Sequence, residues 1–289
     1  MIKGQQNRNF LEANVKFCWV VALQCEARPL IKMFNMKSLS NRLLFSIYVN
    51  YNNGHVLVVS GMGMVKAAAA SMFLKEKLLI GGFAAWINIG VAGYFKGKRG
   101  ALYQALKVTN RDNNKSYFPG LHFSKIVPGT SLYTVSTPEK KYSEPVLYDM
   151  EAAGFCELVP LFSCNELTYV FKIVSDTPHK PLSILTKKII SELININGET
   201  IFKLVEAIEK LVKEETSRLK VSDEVQEMLG SLHFTETNRF RFEKTYKRWR
   251  SAFPERALID QKQPPSSAKD LIHKLENELL IKAENWRLK

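Results

Sequence analysis

Three acidic residues stand where apolar segments give way to turns, the positions at which buried strands present side chains to a ligand. Glu26 closes Val21-Ala-Leu-Gln-Cys-Glu26, Glu151 lies within Tyr148-Asp-Met-Glu-Ala-Ala153, and Asp176 ends Val174-Ser-Asp176. Carboxyl groups so placed can activate water, stabilise developing positive charge, or protonate a leaving group. Two glycine-bearing segments accompany them. Ser60-Gly-Met-Gly-Met-Val-Lys66 runs into an alanine-rich helical stretch, and Asn88-Ile-Gly-Val-Ala-Gly93 reads as a turn after a strand. Gly-x-Gly before a helix can offer free N–H groups to an anion. Neither segment is a dinucleotide fingerprint, because the third glycine is absent, nor a P-loop, because no Gly-Lys-Ser/Thr follows. Taken singly, each acid reads more simply as a surface or capping residue, and each glycine pair as a tight turn.

The elements that must position these residues follow from hydrophobic periodicity. Strands are predicted at 16–23, 86–89, 125–127, 146–148 and 170–174, with a hairpin of 44–51 and 54–59 turning at Asn52-Asn53. Helices are predicted from Arg28, over 63–79, 150–161 and 184–219, the last broken near Asn197-Gly198. Strands alternating with helices predict an α/β domain with a largely parallel or mixed central sheet over residues 1–219. Ligands collect beyond the carboxyl ends of such strands, where the three acids fall. From about residue 220 strand signals vanish, and 222–253 and 267–286 read as helices split by Gln263-Pro-Pro-Ser-Ser. Residues 220–289 are thus expected to form a basic helical appendage.

In order and spacing, strand-x-x-x-Glu, SGMGxxxAA, NIGVAG, DMEAA and VSD resemble the 5′-methylthioadenosine/S-adenosylhomocysteine nucleosidases of the nucleoside phosphorylase superfamily. The likeness runs from about Val15 to Val212. It implies a three-layer fold with a central mixed sheet flanked by helices, and cleavage of the N-glycosidic bond of a purine nucleoside or thionucleoside. By resemblance Glu26 activates the attacking water, Asp176 protonates purine N7, and Glu151 binds ribose hydroxyls. Ser175 orients Asp176 or caps the strand end. Met150, Gly63, Lys172, Leu132 and Tyr133 complete the implied substrate-binding set. No cofactor and no metal are implied, the five histidines having no ligand spacing. The resemblance also implies a homo-oligomer, a dimer.

Water is favoured over phosphate as nucleophile, because Asn88 and Val91 stand where phosphorylases carry an arginine and a serine. Glu26 would also repel phosphate, although Arg28 is near in sequence. The pattern departs from the nucleosidases at several places. Leu132 stands where an aromatic residue stacks on the purine, with Tyr133 beside it. Lys172 replaces an arginine, and the stretch between Ser131 and Asp149 is shortened. A phosphate-dependent phosphorylase and a non-catalytic nucleoside- or nucleic-acid-binding relative stay open as alternatives.

The 289 residues carry a net charge of +13, with 46% hydrophobic and 24% charged residues, a folded composition that suits an anionic partner. Four cysteines without C-x-x-C spacing, and no secretory pattern, predict a reduced, cytoplasmic protein. Leu78–Phe95 is uncharged and long enough to raise a membrane span, but its glycines and Asn88 favour a buried strand. In 238–250, Phe242, Tyr246 and Trp249 recur at helical spacing. That spacing predicts an inward apolar stripe with Arg239, Lys247 and Arg250 on a solvated face, rather than a nucleic-acid or membrane surface.

Overall fold

The computed structural model describes residues 15–40, 43–81, 83–219, 229–258 and 264–287. Two compact units emerge, Met1–Val212 and Lys213–Lys289.

In the first unit β1 (Phe17–Val21) is buried on both faces, as an uninterrupted apolar run requires. It pairs in parallel with β4 (His55–Val59) and β5 (Ala85–Tyr94). β3 (Ser46–Asn50) returns antiparallel onto β4 as the expected hairpin, and β2 (Lys37–Ser38) forms the edge. On the other side stand β6 (Leu102–Asn110), β8 (Gly129–Thr134), β9 (Leu147–Asp149) and β10 (Thr168–Asp176), with β7 (Ser116–Tyr117) paired to β6. The pairings β5–β10, β10–β6, β6–β8, β8–β9 and β9–β5 close a circuit, so the long β5 belongs to both the open sheet and this closed part.

Helices cover both faces. α2 (Met64–Leu78) and α3 (Ala152–Leu158) pack on one side with Cys18, Val20, Val58 and Val170. α1 (Gln24–Met33), α4 (Lys187–Ile196) and α5 (Gly198–Leu219) pack on the other with Trp19, Val21, Leu57 and Phe171. The alternation of Phe17, Trp19 and Val21 with Cys18 and Val20 divides each strand between the two cores. The chain has a three-layer α/β fold around a mixed sheet.

Several sequence expectations change. Asn88–Gly93 is no turn but the continuation of β5. Its glycines serve close approach: a Cβ on Gly90 would lie 2.7 Å from Glu26 Oε1, and one on Gly93 would lie 2.5 Å from Tyr142 Cε1. Residues 125–127 form a turn, because Val127 N–H bonds back to Phe123 O. The strands β6 and β8 escaped the sequence reading; β6 carries Gln104, Lys107 and Thr109 among its apolar residues and so blurs the alternation. Asn197 separates α4 from α5 at the expected break. Among the described residues, no helix is long and apolar enough to cross a membrane.

In the second unit, α6 (Glu236–Ala252) pairs with α7 (Ala268–Arg287). Phe242, Tyr246 and Trp249 are buried with Leu271, Ile272 and Leu275, while Arg239 is exposed and Lys247 and Arg250 are half-buried. Arg241 forks onto Glu276 at 2.9 and 2.6 Å, and Trp249 Nε1 donates to Glu278 at 2.6 Å. Residues 220–228 and Gln263 lie outside the described residues, as does that part of the helix and turn expected there.

One contact sets the spacing of the two helices on the first core. A Cβ on Gly154 would meet Met64 backbone O at 2.2 Å, and backbone cannot step aside. Gly154→Ala should therefore destabilise the unit by about 1–3 kcal/mol through overpacking, measured as a lowered urea midpoint at unchanged m-value.

Candidate functional site

Strand register gathers the site. Within the sheet, Lys172 of β10 lies opposite Gly90 of β5, and Asp176 lies opposite Gly93, whose other neighbour is Tyr148 of β9. Glu26 reaches the same place from the first turn of α1. Its Oε2 accepts from the N–H groups of Ala22 (3.1 Å) and Leu23 (2.8 Å), and its Oε1 from Val91 N–H (2.9 Å). This is the backward reach of a capping acid, extended by a third donor from β5. Burial raises the Glu26 carboxyl above its usual range, opposed by these N–H groups and by Lys172. A carboxylate has roughly four acceptor directions; three are used, which leaves one for a proton donor in the cleft.

Glu151 sits at the N-terminus of α3, where its Oε1 accepts from Gly63 N–H at 2.9 Å. Gly63 has φ 108°, a backbone that L side chains rarely adopt and that aims this N–H across at α3. Burial, then the like charge of Asp149, pushes the Glu151 carboxyl up to about 7, against the pull of Lys172. Asp176 ends β10, buried, and both of its oxygens are engaged. Tyr142 O–H donates to Oδ2, and Ser175 Oγ lies within reach of both Oδ1 and Ala92 O.

Beneath these acids lies Lys172, whose ammonium is fully buried and meets Asp149 Oδ2 at 2.8 Å. Burial opposes its charge, yet Asp149, Glu151 and Glu26 together hold it above the usual lysine range. Asp149 also accepts from Thr134 Oγ1 at 2.7 Å and from Ala152 N–H at 2.9 Å.

One cavity of about 290 Å³ joins the set. Glu26, Met150, Glu151, Ser175 and Asp176 line it, with Val91, and Met62, Leu185 and Ile190 supply apolar walls. Gly63 and Lys172 stand behind the lining and act through Glu151 and Asp149. Leu132 and Tyr133 are not brought to it. Leu132 points from β8 into the first core, and Tyr133 lies under Arg111 with its hydroxyl on Glu144 at 2.7 Å. The wall expected there is built instead by Val135, Pro138, Tyr142 and Tyr148. Asn88 is a tie between strands, its Nδ2 on Val20 O at 3.1 Å, and Arg28 is exposed outside the lining. Asp149 and Tyr142 are the residues that sequence reasoning missed. Asp149 stood inside a recognised motif, but Tyr142 follows Glu139-Lys-Lys, which reads as a solvated loop. Among the described residues no cluster of His, Cys, Asp and Glu could hold a metal ion.

The fold is shared with solved nucleosidase and futalosine hydrolase structures of low sequence identity. The chain is similar to the 5′-methylthioadenosine nucleosidase of Arabidopsis thaliana, with a TM-score of 0.58 at 17% identity, covering 67% of this chain and 96% of that one. It is also similar to the Helicobacter pylori 5′-methylthioadenosine/S-adenosylhomocysteine nucleosidase in complex with butyl-thio-DADMe-Immucillin-A (TM-score 0.56, 11% identity, 67% and 98% covered). Futalosine hydrolase of the same organism gives a TM-score of 0.56 at 12% identity, with 68% and 99% covered. No protein-family model matches the chain, and no curated protein matches it.

Removing the buried ammonium would leave Asp149 uncompensated. Lys172→Met is expected to cost about 3–5 kcal/mol at neutral pH, read by urea denaturation. Lys172→Met paired with Asp149→Leu should recover part of that loss.

Proposed function

We propose that the chain is an N-ribosyl hydrolase that cleaves the N-glycosidic bond of a purine nucleoside or thionucleoside. The observation that carries this reading is the convergence of Glu26, Glu151 and Asp176 on one buried cleft from separate elements. Breaking the bond builds positive charge on the ribose and negative charge on the base. Glu26, held rigid by three N–H groups, takes a proton from water, and the water oxygen attacks C1′. The C1′–N9 bond breaks with its electron pair going to the base, and Asp176, entering the step protonated, gives that proton to N7. Glu26 then releases the proton it took from water, and Asp176 takes one back from solvent. Glu151 accepts hydrogen bonds from ribose hydroxyls and fixes the sugar between the two. The products are free pentose and free purine.

Phosphorolysis is the weaker reading. Glu26, Glu139, Asp149, Glu151 and Asp176 all line the cleft, and no lysine or arginine does among the described residues. A phosphate dianion would settle among like charges without the fork of donors it needs. Product analysis on a nucleoside panel tests this. Free pentose at a rate indifferent to phosphate is expected; pentose 1-phosphate, formed only with phosphate, would sink the hydrolase reading.

Asp176→Asn should cut turnover of adenosine-type substrates on the order of 10²–10⁴-fold, with binding largely kept. Asn bonds N7 but delivers no proton, so nucleosides with acidic leaving groups should be spared; equal, small losses on both would remove Asp176 from the acid role. The raised carboxyls of Glu26 and Glu151 (the latter at about 7) must both be ionised to work. Activity is therefore lost as pH falls through them. A kcat/KM profile should climb with an inflection near 7, and Glu151→Gln should abolish that inflection along with much of the activity.

A further inference from the structure

Tyr142 belongs to a strap, residues 136–145, that joins β8 to β9. The strap is exposed or half-exposed along its length except at Tyr142, which is buried. Its backbone there has φ 47°, a left-handed conformation unfavourable for a bulky residue. The phenol O–H reaches Asp176 Oδ2, while the ring lies over the bare backbone of Gly93. Burial, then the bond to Asp176, raises the phenol and keeps it a donor. Among apolar side chains of the described residues, the ring packs with a small cluster of Val146 and Tyr148, flanked by Tyr133 and Val135, apart from the two main cores. Outside, the strap is tied through Glu144, which accepts from Tyr133 Oη at 2.7 Å and pairs with Arg111 at 3.4 Å.

We propose that Tyr142 is the access-controlling residue of the base subsite: its phenol and the leaving base compete for Asp176 Oδ2, and the strap lifts to admit the base. This rests on the hydrolase reading, since it takes Asp176 as the group the base must reach. Volume argues for competition. The Tyr142 ring and a purine would both need the space between Gly93 and Asp176, because even a methyl group on Gly93 would stand 2.9 Å from Oδ2 and closer still to the ring. The strap is suited to lifting. Its holds are few: the buried side chain of the left-handed Tyr142, the outer tie at Glu144, the Glu144 N–H on Tyr148 Oη at 3.1 Å and Ser136 Oγ on Asp112. By contrast, β8 and β9 each set a leucine (Leu132, Leu147) in the first core. A ligand must then replace the bond it displaces, so bases with a polar ring edge facing Asp176 are selected over apolar rings of equal size.

Two readouts on the intact chain test this. Lys140 and Lys141 are exposed in the strap, so trypsin reports its opening. Tyr142→Phe keeps the ring and removes the competing hydroxyl. It is expected to speed cutting after Lys140 and Lys141 by about tenfold and to lower KM for a purine nucleoside by a similar factor, with kcat changed less. Glu144→Gln, which loosens the outer tie and touches nothing in the catalytic set, should move both readouts the same way. A raised or unchanged KM in Tyr142→Phe overturns the proposal, because the hydroxyl would then assist binding or be idle. Unchanged cutting beside normal turnover overturns the strap alone. Faster cutting with no nucleoside turned over by any of the three chains overturns the hydrolase reading, and the competing base with it.

Discussion

Everything at the site depends on a single buried cation. An isolated ammonium in a low-dielectric interior is strongly disfavoured, and so is an isolated carboxylate. Lys172 and the acids around it resolve both costs at once. Its contact with Asp149 at 2.8 Å is direct, and its field reaches Glu26 and Glu151. Such a cluster does little for net stability compared with a well-packed apolar core. What it does is allow several carboxyl groups to share one cavity, its charge opposing the rise that burial imposes on Glu26 and Glu151. Acid–base chemistry near neutral pH needs that arrangement.

The backbone supplies the rest of the compensation. Glu26 has three N–H donors and Glu151 has Gly63, so the two carboxyls are fixed by groups that no side-chain rotation can withdraw. Gly90 and Gly93 leave β5 bare where Glu26 and Tyr142 cross it. Missing side chains on the strand are what let the acids of α1 and β10 converge. The bulk charge of the chain gives no hint of this, because a protein of net charge +13 lines this cleft with five acids and, among the described residues, no lysine or arginine. Several of its other cations lie on α6, whose aromatic stripe is satisfied by α7.

Much of this was written locally. The alternation of buried strands and helices, the hairpin at Asn52-Asn53, the break at Asn197 and the inward face of α6 all follow from periodicity and turn chemistry, which act over a few residues. Order and spacing of the motifs around Glu26, Glu151 and Asp176 singled out the three acids before any geometry was known. Tertiary structure decided what depends on register between distant strands. It made Asn88–Gly93 a strand rather than a turn, because β10 and, at its end, β9 pair along it from elsewhere in the chain. It sent Leu132 into the core, because β8 is held between β6 and β9 with that face inward. It also buried Tyr142 from a stretch that reads as a charged loop. Nothing local to Glu139-Lys-Lys-Tyr142 encodes a partner; the carboxylate that holds the tyrosine is 34 residues away, and only the folded sheet brings the two together.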